Sequence, residues 1–228
     1  MNNNIDILIT TFEKRYDLLV KLIESIRRFT DCNIILLING ELEKEIPELY
    51  RKNILQLCLN TTNIIPYFFT EFVGLSKMWN RGVISSNKEY QLILNDDLLF
   101  NKNILDNIEL NNINDILTIN NCFSHFIINK KFLQEFDYFN EYLLGVGFED
   151  SDFVRRYKKL YSKDVPTLYD DSISHSRSKI TTDNMDNLFH NKYSVYNRNI
   201  YDNLNLIHIN PYPLEKYYRD NKHKIIKK

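Results

Sequence analysis

Alanine is absent from the 228 residues of this chain, and glycine and proline occur only five times each. Asn, Ile, Lys, Tyr and Phe are used heavily instead. We read that usage as the codon bias of an AT-rich genome, so a single Asn carries little functional weight. The three cysteines, Cys32, Cys58 and Cys122, are odd in number, widely spaced and never in CxxC. They suggest neither a disulfide framework nor a zinc cluster, and a reducing, cytoplasmic setting is expected. No charge of one sign dominates: the formal net charge is -1, which excludes a global attraction to nucleic acid or to an anionic membrane. Long apolar runs are missing too. The run Ile5–Ile9 is too short for a signal peptide, and no stretch nears the ~20 residues that span a bilayer.

What is present suits one α/β domain. Hydrophobic residues make up 43% of the chain, enough for a substantial core. Apolar strands are expected at Ile5–Thr10, Ile34–Ile38, Ile64–Phe69 and Tyr90–Leu94. Between them, Lys14–Phe29 carries Leu18, Leu19, Leu22, Ile23 and Ile26 at helical spacing, Glu41–Leu59 reads as loop plus helix, and Gly74–Ser86 as a helix. This alternation predicts a mostly parallel sheet covered on both faces, with ligands outside the carboxyl ends of its strands. Thr10-Thr11, Asn39 and Asn95-Asp96-Asp97 all fall at such ends. In the second half, strands are expected at Ile113–Asn120, Phe123–Ile128 and Leu168–Ser174, and helices at Lys130–Phe136 and Asp150–Leu160. Arg177–Phe189 lacks apolar periodicity and reads as a loop, and Tyr212–Lys228 as a helical or frayed terminus.

Two acidic clusters carry most of the chemistry. Carboxylates after a strand suit a divalent cation. Taken alone, though, Asp96-Asp97 reads first as an Asx turn or helix cap. In Gly145-Val-Gly-Phe-Glu149-Asp150-Ser-Asp152 the glycines permit positive φ just before a helix. The helix dipole favours acids in the first turn and keeps Asp150 ionised, as a base must begin. His175, between two serines, follows both clusters; as a metal ligand it would favour Mn²⁺ over Mg²⁺. Arg177 and Lys179 have the reach for a diphosphate, or are simply solvated. Gly74-Leu-Ser-Lys77-Met-Trp-Asn80 opens a helix whose N-terminus attracts phosphate, with Lys77 near it. Asn80, at mid-helix, suggests a polar contact toward the crevice; the plainer reading is a helix whose apolar face is Leu75, Met78, Trp79 and Val83.

In order and spacing, these motifs resemble those of the GT-A glycosyltransferases, particularly the family 2-like enzymes and the β-1,4-galactosyltransferase group. The resemblance runs from Ile5 to Arg177. Ile7 to Arg15, with Thr10, Thr11, Phe12 and Arg15, is similar to their opening strand and nucleotide-contacting loop. Leu94-Asn95-Asp96-Asp97 resembles their DxD motif with Asn95 in place of the first aspartate. That implies Asp97 as metal ligand and Asn95 or Asp96 near the donor ribose. The stretch from Phe126 to Arg155 is similar to the segment carrying their acceptor-side Glu-Asp pair. It implies Asp150 as catalytic base, with Glu149 and Asp152 orienting acceptor or backbone. His175 resembles the late metal-binding histidine of the galactosyltransferase group. Three residues earlier, where that group often places a further ligand, this chain has Ser172. Asn39 stands where family 2 members commonly place an Asp near the base.

The resulting expectation is a GT-A, mostly parallel α/β fold. Residues 1–190 would form the enzyme domain, with a donor half of about 1–100 and an acceptor and metal half of about 101–190. A small helical extension, 191–228, would pack on it. The expected activity is inverting, metal-dependent transfer from a nucleotide-sugar donor, UDP-linked, to a hydroxyl of a glycan or glycoconjugate acceptor. Mn²⁺ (or Mg²⁺) would be held by Asp97 and His175. The basic tail, including Lys216, Arg219 and Lys222, offers a peripheral membrane contact, or is a solvated terminus. Two other readings stay open: a nucleotidyl- or phosphoryl-transferase on a related sheet, and a catalytically silent carbohydrate- or nucleotide-binding module.

Overall fold

The computed structural model describes residues 4–12, 15–40, 46–70, 72–176 and 185–203. In the first half, β1 (Ile5–Thr11), β2 (Ile34–Ile38), β3 (Ile64–Phe68) and β4 (Tyr90–Asn95) alternate with α1 (Tyr16–Arg27), α2 (Glu48–Asn60) and α3 (Leu75–Ser85). There follow β5 (Leu98–Phe100), β6 (Ile116–Ile119), β7 (Cys122–Asn129), α4 (Lys130–Glu135), α5 (Glu149–Tyr161), β8 (Thr167–Leu168), β9 (Ile173–His175) and α6 (Met185–Asn203). Seven strands form one sheet in the order β3-β2-β1-β4-β7-β6-β8, while β5 and β9 pair in a separate ribbon.

The first four strands are mutually parallel, and β7 is antiparallel to both β4 and β6. Every residue of β1 and β2 is buried, and β2 accordingly reads as a continuous apolar run, while β1 buries Asp6, Thr10 and Thr11 among its isoleucines and leucine. Ile7 and Ile9 enter the layer beneath α1 and α2, and Leu8 enters the opposite layer with Met78, Trp79, Phe126 and Phe153. The edge strand β3 is only half-buried and contains Pro66, which an edge tolerates because one side of its ladder needs no donor.

Three expectations change. The run Leu168–Ser174 is two strands in different sheets. The Asn120 amide grips the Asp170 main chain on both sides, at 2.7 and 3.0 Å, and the Asp170 carboxylate accepts the Ser172 N–H at 2.6 Å. That turn carries the chain from the β6 edge across to β5. The strand expected at Ile113–Asn120 begins only at Ile116, because Leu110–Asn112 closes a 3₁₀ turn into Ile113. Finally, α6 occupies the last part of the expected loop Arg177–Phe189 and runs through position 190 without a break. Its helix is held by tertiary contacts that no periodicity reveals. Tyr193 stacks on Phe72 with centroids 6.2 Å apart, and Asn197 bonds Leu144 and Gly147 main chain. The tail beyond 203, with its Lys and Tyr residues, lies outside the described residues, as do Arg177 and Lys179.

Candidate active site

The ends of β1, β2 and β4 converge as their register requires. Thr10 faces Asn95, Thr11 faces Ile38, and the Asn39 N–H donates to the Thr11 carbonyl at 2.9 Å. Asp96 and Asp97 form the tight turn between β4 and β5, and both are buried. Arg15, just before α1, lies across that turn. One guanidinium nitrogen is 3.1 Å from Asp96 Oδ1 and the other 3.1 Å from Asp97 Oδ2. The same guanidinium sits 5.4 Å from the Phe12 ring centroid. Burial pushes the Asp96 carboxyl up to about 7 against the pull of Arg15.

His175 reaches this turn through the β5–β9 ribbon, where it pairs with Leu98. Its Nδ1 is 3.9 Å from Asp97 Oδ2, and the neighbouring Ser176 donates twice to the Asp97 carbonyl, at 2.8 and 3.0 Å. The two expected metal ligands, 78 positions apart in sequence, are therefore adjacent. Ser172 is not part of this group. It lies at the other end of β9, with its carbonyl accepting the Asn101 N–H at 2.7 Å.

Two residues were missed by the sequence reading. His125 on β7 faces Leu94, just before the acidic turn, and its ring meets that of His175 edge-on with centroids 5.9 Å apart. One ligand atom from each of Cys122, His125 and His175 lies within 4.8 Å of the others. Burial, reinforced by His175, lowers His125 to about 4, so its imidazole is neutral at ordinary pH. The available signal was Cys122-Phe-Ser-His125, two ligand types three positions apart. By itself this spacing is a weak signal, because an ordinary strand sends positions i and i+3 to opposite faces. Here Phe123, Ser124 and His125 have no counterparts on β6, whose ladder jumps from Thr118–Phe126 to Ile119–Cys122. Bulges of this sort re-aim side chains beside functional sites. The donor set fits a divalent cation: a carboxylate, two imidazoles and a thiol converge, and among the described residues His125 Nε2 is buried without a hydrogen-bond partner.

The second acidic cluster opens α5 as expected. Gly145 and Gly147 take positive φ, and so does Phe148, an unusual conformation for a bulky side chain. Glu149 is buried, accepts the Gly147 N–H at 2.6 Å and is raised by burial to about 7. It thus braces the turn. Asp152 is fully buried and pairs with Arg156 at 2.9 Å and Arg155 at 3.5 Å; Arg156 in turn donates to the Phe136 and Tyr138 carbonyls. Asp150 alone of the three stands exposed, its carboxylate accepting the Ser151 N–H at 2.6 Å.

The start of α3 joins this turn, since Leu75 N–H donates to the Gly145 carbonyl at 2.9 Å, and half-buried Lys77 follows in the first turn. Asn80 and Asn39 have structural partners. Asn80 is buried, with its amide bonded to both main-chain groups of Phe139 and to Glu141 Oε1. Asn39 grips the Val73 N–H and carbonyl, both at 3.0 Å. Both make the polar contacts their burial demands, and those contacts are to this chain's own residues. A cavity of about 660 Å³ lies elsewhere, by Ile5, residues 27–33 and Asn103. It adjoins the start of β1, not the end where these groups gather.

Fold and site together define an α/β protein of the GT-A fold, with an acidic turn after its fourth strand. No family model and no curated protein matches the sequence. Solved structures do. S. aureus TarS 1-349 matches with a TM-score of 0.57 at 16% identity, over 75% of this chain and 59% of that one. Its complex with UDP-GlcNAc gives 0.58 at 15% identity, over 79% and 61%. The catalytic domain of Drosophila beta1,4-galactosyltransferase 7, in complex with xylobiose, matches with 0.49 at 12% identity, over 77% and 71%. This chain thus spans about three-fifths of the TarS chain it matches.

Proposed function

We propose that this protein is an inverting, metal-dependent glycosyltransferase that moves a sugar from a UDP-linked donor to a hydroxyl of a glycan or glycoconjugate. The observation that carries the reading is the junction of Asp97, His175 and Arg15 at the carboxyl end of the sheet, where ligands of such folds bind. TarS, which shares the fold, has structures with UDP and with UDP-GlcNAc, and that supports the choice of nucleotide. Residues 1–190 would form the enzyme unit, its setting the assembly of surface polysaccharide or glycoconjugates on the cytoplasmic side.

Each residue has a distinct task. Thr10, Thr11, Phe12 and Asn95 line the uridine end, and Asp96 faces the ribose. Arg15 holds the acidic turn in shape and supplies fixed positive charge close to the diphosphate. Lys77, at the start of α3, adds a second cation. Asp97 and His175 hold the divalent ion, with Mn²⁺ the expectation from an oxygen and nitrogen shell; such an ion offsets charge on the leaving diphosphate. Asp150, exposed at the start of α5, removes the proton of the acceptor hydroxyl. That oxygen forms its bond to the anomeric carbon from the face opposite the diphosphate, whose C–O bond breaks. Glu149 and Asp152 keep the Asp150 turn in place through Gly147 and the two arginines.

Positioning and charge stabilisation would supply most of the acceleration, with base catalysis adding about 10²–10⁴-fold. Asp150→Asn should therefore cut transfer by about that factor while UDP affinity, read by calorimetric titration, stays within twofold. Transfer at the normal rate would remove Asp150 as base. The titration of UDP with and without Mn²⁺ tests the donor site itself: binding that needs the ion is expected, and no binding in either condition would end the UDP assignment.

A further inference from the structure

Cys122, His125 and His175 form a side-chain group whose chemistry differs from an all-oxygen cation site. Mg²⁺ and Mn²⁺ favour carboxylate, carbonyl and water oxygens, whereas thiolate and imidazole select zinc and its borderline neighbours. Asp97, the carboxylate nearest His175, already shares Oδ2 with Arg15 at 3.1 Å. A guanidinium so placed lowers the negative charge available to a hard cation. Among the described residues, no guanidinium is paired with the sulfur or nitrogen donors.

The protein also builds the group with care for orientation. Ser124 Oγ lies 2.8 Å from His125 Nδ1 and 2.9 Å from Cys122 Sγ, so one hydroxyl ties both side chains. A partner on one ring nitrogen is the usual way to orient a metal-binding imidazole and set its tautomer. The other nitrogen, Nε2, is buried and has no hydrogen-bond partner among the described residues, on a residue only 3% exposed. An unpartnered buried nitrogen is costly unless something binds it. The extra residues of β7 at Phe123–His125 bring the thiol and the imidazole together, and the β5–β9 ribbon delivers His175 from a different sheet. Zinc would need donor separations of about 3.3–3.6 Å, given bonds of about 2.0–2.3 Å, so side-chain shifts on the order of 1 Å close the site.

We infer that Cys122, His125 and His175 bind one transition-metal ion of the zinc class, leaving a fourth coordination position for an oxygen ligand beside Asp97. Three protein donors with one open position is the arrangement of zinc sites that take a substrate or water oxygen. The assignment deepens the donor-site reading, because His175 and Asp97 belong to both and a donor phosphate would fill the open position. Asp97 and His175 by themselves favour manganese, whereas the added thiol and second imidazole favour zinc. Ion binding itself requires no nucleotide.

The test uses the full-length, metal-stripped protein titrated with Co²⁺ and followed by absorption. We expect one equivalent to bind with tetrahedral visible bands and a sulfur-to-metal charge-transfer band. Zn²⁺ should displace the cobalt stoichiometrically, and Mn²⁺ should need at least a hundredfold higher concentration. Cys122→Ser should lose the charge-transfer band, whereas Cys58→Ser should keep it. In the wild-type protein, the absence of a sulfur band, or displacement by Mn²⁺ as readily as by Zn²⁺, would overturn the inference. Persistence of the band in Cys122→Ser would do the same. If Cys122→Ser fails to fold, protection of one wild-type thiol from a thiol reagent by Zn²⁺, lost in His125→Gln, is the corresponding readout; no protection would overturn the site. The two readings fail separately. A zinc site in a protein that binds no UDP leaves the ion and removes the donor, while UDP binding that needs Mn²⁺ with no sulfur band does the reverse.

Discussion

Glu149 shows how a single side chain links burial, hydrogen bonding and pH. Its carboxyl sits under the Gly147 N–H, and burial lifts it from the ordinary 4.5 to about 7. Between those two values the unfolded chain has released the proton while the folded protein still holds it. The folded state then binds more protons, so Glu149 makes stability fall as pH rises through that window and level off above it. Glu149→Gln keeps an oxygen for the Gly147 N–H but cannot ionise. We expect it to gain stability at pH 8, on the order of 1–3 kcal/mol, with little change at pH 4. Urea unfolding at the two pH values measures this, and equal effects at both would show that the carboxyl is not the titrating group. Asp152, by contrast, is buried with two arginines on it, so it stays paired and only its neighbour Asp150 faces solvent.

At the scale of elements, the decisive joint is between α3 and the turn before α5. Gly74 precedes α3, and a Cβ there would strike the Leu143 main-chain carbonyl. Gly82, further along the same helix, faces only the side-chain tips of Leu37 and Leu8, at 2.7 and 2.8 Å. A main-chain carbonyl cannot rotate away as a leucine tip can. Gly74→Ala should therefore cost about 1–3 kcal/mol by forcing the elements apart. Gly82→Ala should cost less, since alanine returns about 1 kcal/mol of helix propensity. Urea midpoints of the two variants rank the costs, and an equal or larger loss for Gly82→Ala would contradict the close approach at Gly74. The same joint carries Lys77 and Asp150, so Gly74→Ala should also lower transfer activity.

For the molecule as a whole, one sheet ties the two expected halves together. β4, from the first hundred residues, pairs with β7 from the second, and Trp79 of α3 packs edge-on against Phe126 and Phe139, which lie beyond residue 100. The only tryptophan is thus buried where both halves meet. Its fluorescence and the far-ultraviolet circular dichroism should lose signal in one coincident urea transition, as a single cooperative unit requires. Two separated midpoints would mean that the two expected halves unfold independently. Among the described residues, no helix is long and apolar enough to cross a membrane.

The strands and helices of the first hundred residues were legible because their signals are local. Runs such as Ile34–Ile38 are apolar throughout, and α1 carries its buried residues at helical spacing, so burial on two faces or one follows from the chain itself. The positive-φ glycines before α5 and the acids of its first turn were legible for the same reason. A family resemblance implied Asp97 and His175 as partners, but only the β5–β9 ribbon sets them 3.9 Å apart. The rest depended on contacts distant in sequence. Asn39 and Asn80 looked like crevice residues, yet their amides bond main chain and side chain of this same protein, because buried polar groups must find partners and the fold places those first. An unbroken strand would have sent Cys122 and His125 to opposite faces, so their spacing alone is no sign of a shared site. A break in the β6–β7 register, decided by how two strands pair, is what turns them toward His175.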